Sequence, residues 1–194
     1  MLNIILFGKP GAGKGTQADY IKNYFDLVHI STGDLFRNNI KNETQMGLIA
    51  KSYMDEGKLV PDEVTIDMLK SEVINNSKAN GFIFDGFPRT ISQAEVLDIF
   101  LDSMKMNIRA TISLDVEDFI LEDRLIKRGK TSGRLDDQNI NKIRNRFKEY
   151  NKKTLPLINY YKSLNKFYSI SGTGTIDEIR DKLVNMINQL KLND

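Results

Sequence analysis

The chain of 194 residues contains no cysteine, which removes disulfides, thiolate nucleophiles and cysteine-ligated zinc from consideration. It holds a single histidine, His29, so a histidine-built metal cluster is excluded as well. Set among Leu27, Val28 and Ile30, that residue reads as structural. Nor is there an excess of one charge. The 28 basic residues nearly balance the 26 acidic ones for a net charge of +2, and no broad basic surface for nucleic acid is implied. No apolar run approaches the roughly 20 residues of a membrane span. The first run, Leu2 to Phe7, is too short for a secretion-signal core and has no basic segment before it; a cytoplasmic location is expected. No repeats or low-complexity tracts interrupt the chain.

What is present is an ordinary globular balance, 40% hydrophobic and 28% charged residues, in a length that suits one domain with a sizeable core. The most informative stretch is Gly8-Lys9-Pro10-Gly11-Ala12-Gly13-Lys14-Gly15-Thr16, directly after the apolar run. A short strand thus enters a glycine-rich turn that is followed by a helical pattern. Glycines let backbone N–H groups converge on a polyphosphate, the helix N-terminus adds its positive end, and Lys14 supplies a point charge. The spacing matches Gly-x-x-x-x-Gly-Lys-[Ser/Thr], except that Gly15 holds the hydroxyl position and Thr16 follows it. The pattern implies nucleotide binding.

Strand-like runs are expected at Asn3–Phe7, Val28–Ile30, Phe82–Phe84, Ile108–Leu114 and Phe167–Ile170. Helical patterns fill the gaps at 15–25, 62–75, 92–103, 116–127, 138–164 and 176–190. Alternation of this kind predicts an α/β fold, a five-stranded parallel sheet with helices on both faces. Ligands in such sheets sit beyond the carboxyl ends of the strands. The glycine loop lies at one such end, and Ser31-Thr32-Gly33-Asp34 and Asp85-Gly86-Phe87-Pro88-Arg89 each follow another strand. Two stretches interrupt the alternation: a helical insertion from Thr32 to about Val60, and a polar loop from Gly129 to Asp137.

Arginines crowd the loops and helix ends of this pattern: Arg37, Arg89, Arg124, Arg128, Arg134, Arg144 and Arg146. Arg124 and Arg128 share one helix face. Arg144 and Arg146 point to nearly opposite sides, so at most one of them faces the crevice.

The glycine loop, Ser31-Thr32-Gly33-Asp34-Leu35, Gly57-Lys58-Leu59-Val60-Pro61, Asp85-Gly86-Phe87-Pro88-Arg89, Lys127-Arg128-Gly129, Ser132-Gly133-Arg134-Leu135-Asp136-Asp137 and Arg146-Phe147-Lys148-Glu149-Tyr150 together resemble the adenylate kinases. The likeness runs in order through nearly the whole chain. It implies a single nucleoside monophosphate kinase domain over 1–194, with a mobile monophosphate-binding segment at about 31–60 and a short lid at about 129–137. By the same resemblance, Gly11, Ala12, Gly13, Lys14, Gly15 and Thr16 bind the ATP phosphates, Arg128 contacts ATP, and the backbone at Gly174 faces its adenine. Thr32, Arg37, Lys58, Leu59, Val60, Gly86, Phe87, Pro88, Arg89 and Gln93 form the AMP site. Arg134 and Arg146 grip phosphates from the lid side, Asp85 holds Mg²⁺ through water, and the Phe87–Pro88 peptide is cis. The lid is too short for the zinc of long-lid relatives, so no zinc is expected. ATP with AMP or ADP would be the partners, with no nucleic acid, no membrane and a monomeric chain.

Two other readings compete. A UMP/CMP kinase would share the scaffold, but Thr32 beside a purine and Gln93, which pairs with the donor–acceptor edge of adenine, favour AMP. A GTP-binding switch would carry Asn-Lys-x-Asp, whereas Asn151-Lys152 here leads to Lys153-Thr154.

Overall fold

The computed structural model describes residues 1–192. Five strands, β1 (Leu2–Phe7), β2 (Val28–Ser31), β3 (Gly81–Asp85), β4 (Ala110–Asp115) and β5 (Phe167–Ser171), form one sheet of order β2-β3-β1-β4-β5, with every pairing parallel. Among the described residues, nine α-helices accompany it: α1 (Lys14–Phe25), α2 (Thr32–Lys41), α3 (Gln45–Met54), α4 (Asp62–Asn75), α5 (Ile91–Ser103), α6 (Asp118–Ser132), α7 (Ile140–Glu149), α8 (Leu157–Ser163) and α9 (Ile176–Leu192).

Successive strand residues face opposite sides, and both sides are covered, so the strands read as continuous apolar runs. From β1, Ile4 and Leu6 enter one core with Ile21 of α1, Leu121 and Leu125 of α6, Ile143 of α7 and Leu183 of α9. Ile5 and Phe7 enter the other, with Leu69 of α4, Leu97 of α5 and Leu157 of α8. A third, smaller core under α2 and α3 is built on Phe36, Ala50, Val60 and Met68. The expected fold class holds.

Three boundaries differ from expectation. The fourth strand begins at Ala110 rather than Ile108, and just before it the Arg109 N–H donates to the Asn3 carbonyl of β1 at 2.8 Å. The expected helix over 138–164 is broken. After α7 the chain widens into a π-turn over Tyr150–Thr154, where the Leu155 N–H reaches back to the Tyr150 carbonyl at 2.9 Å, and helix resumes only at Leu157. Pro156 offers no N–H and its ring crowds the carbonyl four residues back, so the regular ladder cannot pass through. Finally, much of the expected loop at 129–137 is ordered. Helix α6 continues to Ser132 and stops where Gly133 adopts φ +67°, and Leu135–Asp137 forms a 3₁₀ turn. Gly129 permits this, since a Cβ there would stand 2.6 Å from the Asp137 carbonyl oxygen.

Candidate active site

Strand β1 pairs with β3 on one side and β4 on the other, and the connections on its two sides run in opposite directions. That reversal opens a crevice beyond the carboxyl ends of the strands. It holds a cleft of about 640 Å³, to which the loops after β1, β2 and β3 all contribute walls.

The loop after β1 turns through Gly8, Gly11 and Gly13, with φ of +135°, +88° and +95°, values costly for any residue bearing a Cβ. Ala12 turns its methyl into the core, 2% exposed, while its N–H donates to the Lys9 carbonyl at 3.1 Å. Lys14 Nζ lies across this loop, donating to the Gly8 carbonyl at 2.9 Å and the Lys9 carbonyl at 3.3 Å. Burial pulls the Lys14 ammonium down to about 8; Asp85 opposes the shift, and Arg89, Arg146 and Arg128 add to it. Thr16 and Gly15 line the same wall.

Asp85 ends β3 at the cleft floor, and its Oδ2 would lie 3.7 Å from a Cβ placed on Gly15. Burial by itself would raise this carboxyl, but His29, Lys14 and Arg89 outweigh it and hold it below the usual carboxylate range. His29 Nε2 stands 3.6 Å from Asp85 Oδ2, beyond hydrogen-bond reach. His29 borders the cleft beside Asp85 while remaining largely buried. Its flanking residues alternate between the two faces of a strand, and nothing in the local sequence shows which face meets the crevice.

Past β3, Gly86 adopts φ +77° and the Phe87–Pro88 peptide is cis. Thr32 Oγ1 donates to the Gly86 carbonyl at 2.9 Å, and Arg89 Nε donates to the same oxygen at 2.7 Å. The π-turn after α7 supports this loop from behind, as Thr154 Oγ1 donates to the Arg89 carbonyl at 3.0 Å. Gln93, in the first turn of α5, accepts the Arg89 N–H at 2.7 Å. Arg37, Lys58, Leu59 and Val60 complete this side of the cleft. Arg37 pairs with Asp34 at 2.5 Å, and Lys58 pairs with Glu56 at 2.5 Å.

From the opposite rim come Arg128, Arg134 and Arg146. Asp137, buried beneath them, accepts Arg128 Nε at 2.6 Å and Arg146 at 2.6 Å, and Asp136 lies 2.9 Å from Arg146. Arg134 reaches across the cleft to Asp34 at 3.2 Å. Burial lowers Arg89 to about 10, aided by Arg146 and Arg37 against the pull of Asp85. Burial likewise lowers Arg134, with Arg37 and Arg128 adding to the effect. Cations that depress one another in this way make a recess suited to polyanions.

Between the two candidates on α7, helical phase decides: Arg146 faces the cleft, while Arg144 pairs with Glu122 at 2.9 Å on the outer surface. Arg124 donates to the Gly172 carbonyl at 3.2 Å. Gly174, φ +130°, lies in the β5–α9 turn beside Glu178 rather than in the cleft wall. The acids Asp34, Asp136 and Asp137, absent from the sequence-derived candidates, hold the arginines in place. Spacing alone gives no sign of them, because a carboxylate near a basic cluster is read by default as solvated. Among the described residues, no group of three or more His, Cys, Asp or Glu side chains is arranged to hold a metal ion, and no helix is long and apolar enough to cross a membrane.

The family model described as adenylate kinase matches residues 6–166. Among curated relatives, the adenylate kinase of Flavobacterium psychrophilum is 59% identical over 98% of this chain and 100% of its own length. That of Flavobacterium johnsoniae is 55% identical with the same coverage, and that of Parabacteroides distasonis is 45% identical, again over 98% and 100%. Neither the pyrimidine-kinase nor the switch alternative is favoured by these likenesses. With the glycine loop, the parallel sheet and the arginine-lined cleft all in place, the chain belongs to the adenylate kinase family.

Proposed function

We propose that the residues of this cleft hold two nucleotides phosphate to phosphate and divide the work of phosphoryl transfer between them. The reaction is that of the family, the reversible transfer of the terminal phosphoryl group from ATP to AMP to give two ADP. Gly11, Gly13, Gly15 and Thr16 present backbone N–H groups and the α1 N-terminus to the ATP phosphates, and Ala12, whose own N–H turns to the Lys9 carbonyl, holds the loop in that shape around them. Lys14 exchanges its two carbonyl partners for the transferred group. Arg128 meets ATP from the rim, and the adenine extends beyond the cleft wall to the β5–α9 turn, where the backbone at Gly174 faces it. Thr32, Arg37, Lys58, Leu59, Val60, Gly86, Phe87, Pro88, Arg89 and Gln93 receive AMP, and Arg134 and Arg146 close on the phosphates.

The observation that carries this assignment is the convergence of Lys14, Arg89, Arg128, Arg134 and Arg146 on one cleft, with burial and mutual repulsion lowering Lys14, Arg89 and Arg134. Charge on Lys14, Arg89 and Arg134 stays disfavoured even with Asp34, Asp85, Asp136 and Asp137 in place, and phosphoryl transfer places negative charge on the oxygens of the moving group. An AMP phosphate is already a nucleophile, so alignment and charge neutralisation suffice and no general base is required.

Asp85 suits Mg²⁺, which enters such sites with the nucleotide and takes one or two carboxylates plus water; it is recessed, kept deprotonated and adjacent to Gly15. When bound with ATP, the ion neutralises charge on the phosphates. The chain's own part is to hold that carboxylate toward the glycine loop. Residues 31–60 and 129–137 act as the closing segments that exclude water, and the chain works as a cytoplasmic monomer that binds neither nucleic acid nor membrane.

A coupled assay for ADP formation from ATP plus AMP, with CMP, UMP and GMP alongside, tests the assignment. Turnover with AMP far above the others is expected. Activity confined to UMP or CMP overturns the AMP site, and GTP binding without transfer overturns the enzyme.

A further inference from the structure

Gln93 is 2% exposed and forms part of the cleft wall. Its carboxamide is held at both ends. Oε1 accepts the Arg89 N–H at 2.7 Å, and Nε2 donates to Asp62 Oδ1 at 2.7 Å. Asp62 is itself fixed, since Thr90 Oγ1 donates to its other oxygen at 2.9 Å. It also stands in the first turn of α4, where the helix dipole favours a carboxylate.

These partners determine which way round the amide sits. A backbone N–H requires an acceptor, so Oε1 must face Arg89; a carboxylate requires a donor, so Nε2 must face Asp62. A primary amide carries two N–H donors and two acceptor sites. One of each is used here, which leaves one N–H and one acceptor site on the carboxamide. That remainder complements adenine, whose ring N1 accepts and whose 6-amino group donates. A 6-oxopurine presents the inverse edge, with O6 accepting and N1–H donating. To read it, Gln93 would have to turn its amide over, bringing NH₂ against the Arg89 N–H and Oε1 against the Asp62 carboxylate.

We infer that Asp62 is a specificity-determining positioning residue: with the Arg89 N–H it locks Gln93 in the adenine-reading orientation, so that 6-oxopurine monophosphates are refused. The inference rests on the reading above in which Gln93 faces the base of AMP. Buried polar groups left facing like partners give the strongest form of molecular discrimination, because neither group has water to fall back on.

The test uses the full chain, with AMP and IMP as acceptors at saturating ATP, in the wild type, Asp62→Asn, Asp62→Ser and Gln93→Leu. An amide at position 62 can accept or donate, so the turned Gln93 no longer faces a like partner there and only the Arg89 N–H still opposes it. In Asp62→Asn the ratio of kcat/KM for AMP over IMP is expected to fall at least tenfold. The change should come mainly through the KM of the monophosphate, with the KM for ATP unchanged. Should that variant fail to fold, Asp62→Ser, small and well suited to a helix start, is expected to shift the ratio in the same direction. A ratio within twofold of wild type in a folded variant overturns the lock, as does an equal loss toward AMP and IMP. Undiminished selectivity in Gln93→Leu overturns instead the reading of Gln93 as the base contact, and the lock with it. A wild type inactive on AMP removes the function itself.

Discussion

Lys14 carries its ammonium in a recess that disfavours charge, down to about 8, with burial as the main cause. The free enzyme therefore loses this cation as pH rises through about 8, while bound phosphates restore it. Because kcat/KM reports the free enzyme and kcat the complex, kcat/KM for ATP is expected to fall above pH 8 while kcat stays level to higher pH. Lys14→Arg, which keeps its charge, should remove that inflection; a pH profile in which kcat and kcat/KM bend together would contradict the reading. Arg89→Ala and Arg128→Ala should each lower turnover at least tenfold with circular dichroism unchanged, a modest demand where one arginine can be worth about 10³–10⁵. Much of this was legible in the chain itself. Lys14, Arg89 and Arg128 stood at the ends of recognisable strands and helices. The place of His29 beside Asp85 was not legible, because which side of a strand meets a crevice depends on neighbours far away in sequence. Asp34 and Asp137 escaped for a different reason: their significance lies in arginines brought to them only by the fold, Arg134 across the cleft and Arg128 and Arg146 beneath the rim.

At the scale of elements, the packing of α2 on α3 depends on Gly47, where a Cβ would meet the Asn39 carbonyl oxygen at 2.2 Å. Gly47→Ala must part these helices. Overpacking of this kind costs about 1–3 kcal/mol, so denaturant titration should show a loss in that range. Because α2 carries Arg37 while the ATP loop is packed elsewhere, KM should rise for AMP and not for ATP; equal increases would place the strain outside this pair. The insertion was readable as two helix-like stretches without a strand; in the structure the first ends at its C-cap, Asn42, and Thr44 caps the second. The widening at Tyr150–Thr154 was not. Pro156 announces a break, but not whether the chain bends away, kinks or takes in an extra residue. That choice was settled by contacts such as Thr154 to the Arg89 carbonyl.

For the whole molecule, the balance of +2 conceals a strongly uneven distribution. Burial tends to raise Asp34, Asp85 and Asp137, yet neighbouring cations and hydrogen bonds hold all three below the usual carboxylate range. Groups depressed in this way add stability above the ordinary carboxylate pKa and surrender it as pH falls through their native values. Thermal unfolding measured from pH 6 to pH 2 should accordingly show a steep acid limb beginning below about pH 4. At neutral pH, the crowded cations should be relieved by anions. Tripolyphosphate at a hundredfold its Kd adds about 2.7 kcal/mol to stability and should raise Tm visibly, less so as sodium chloride is added. A Tm indifferent to polyphosphate would show that the recess does not concentrate positive potential.

One contact at the mouth of the cleft joins its two walls. Asn145 of α7 donates its side-chain amide to the Glu56 carbonyl at 2.6 Å, and Gly57 fits so closely against the same helix that a Cβ would stand 3.1 Å from the Lys142 carbonyl oxygen. The strip that carries Lys58 to Val60 and the helix that carries Arg146 are thereby buttoned together. A single amide–carbonyl bond is worth only about 0.5–1.5 kcal/mol net, so the button undoes itself readily in thermal motion. If the two walls of the entrance move when nucleotides bind, this contact is where their motions would be linked.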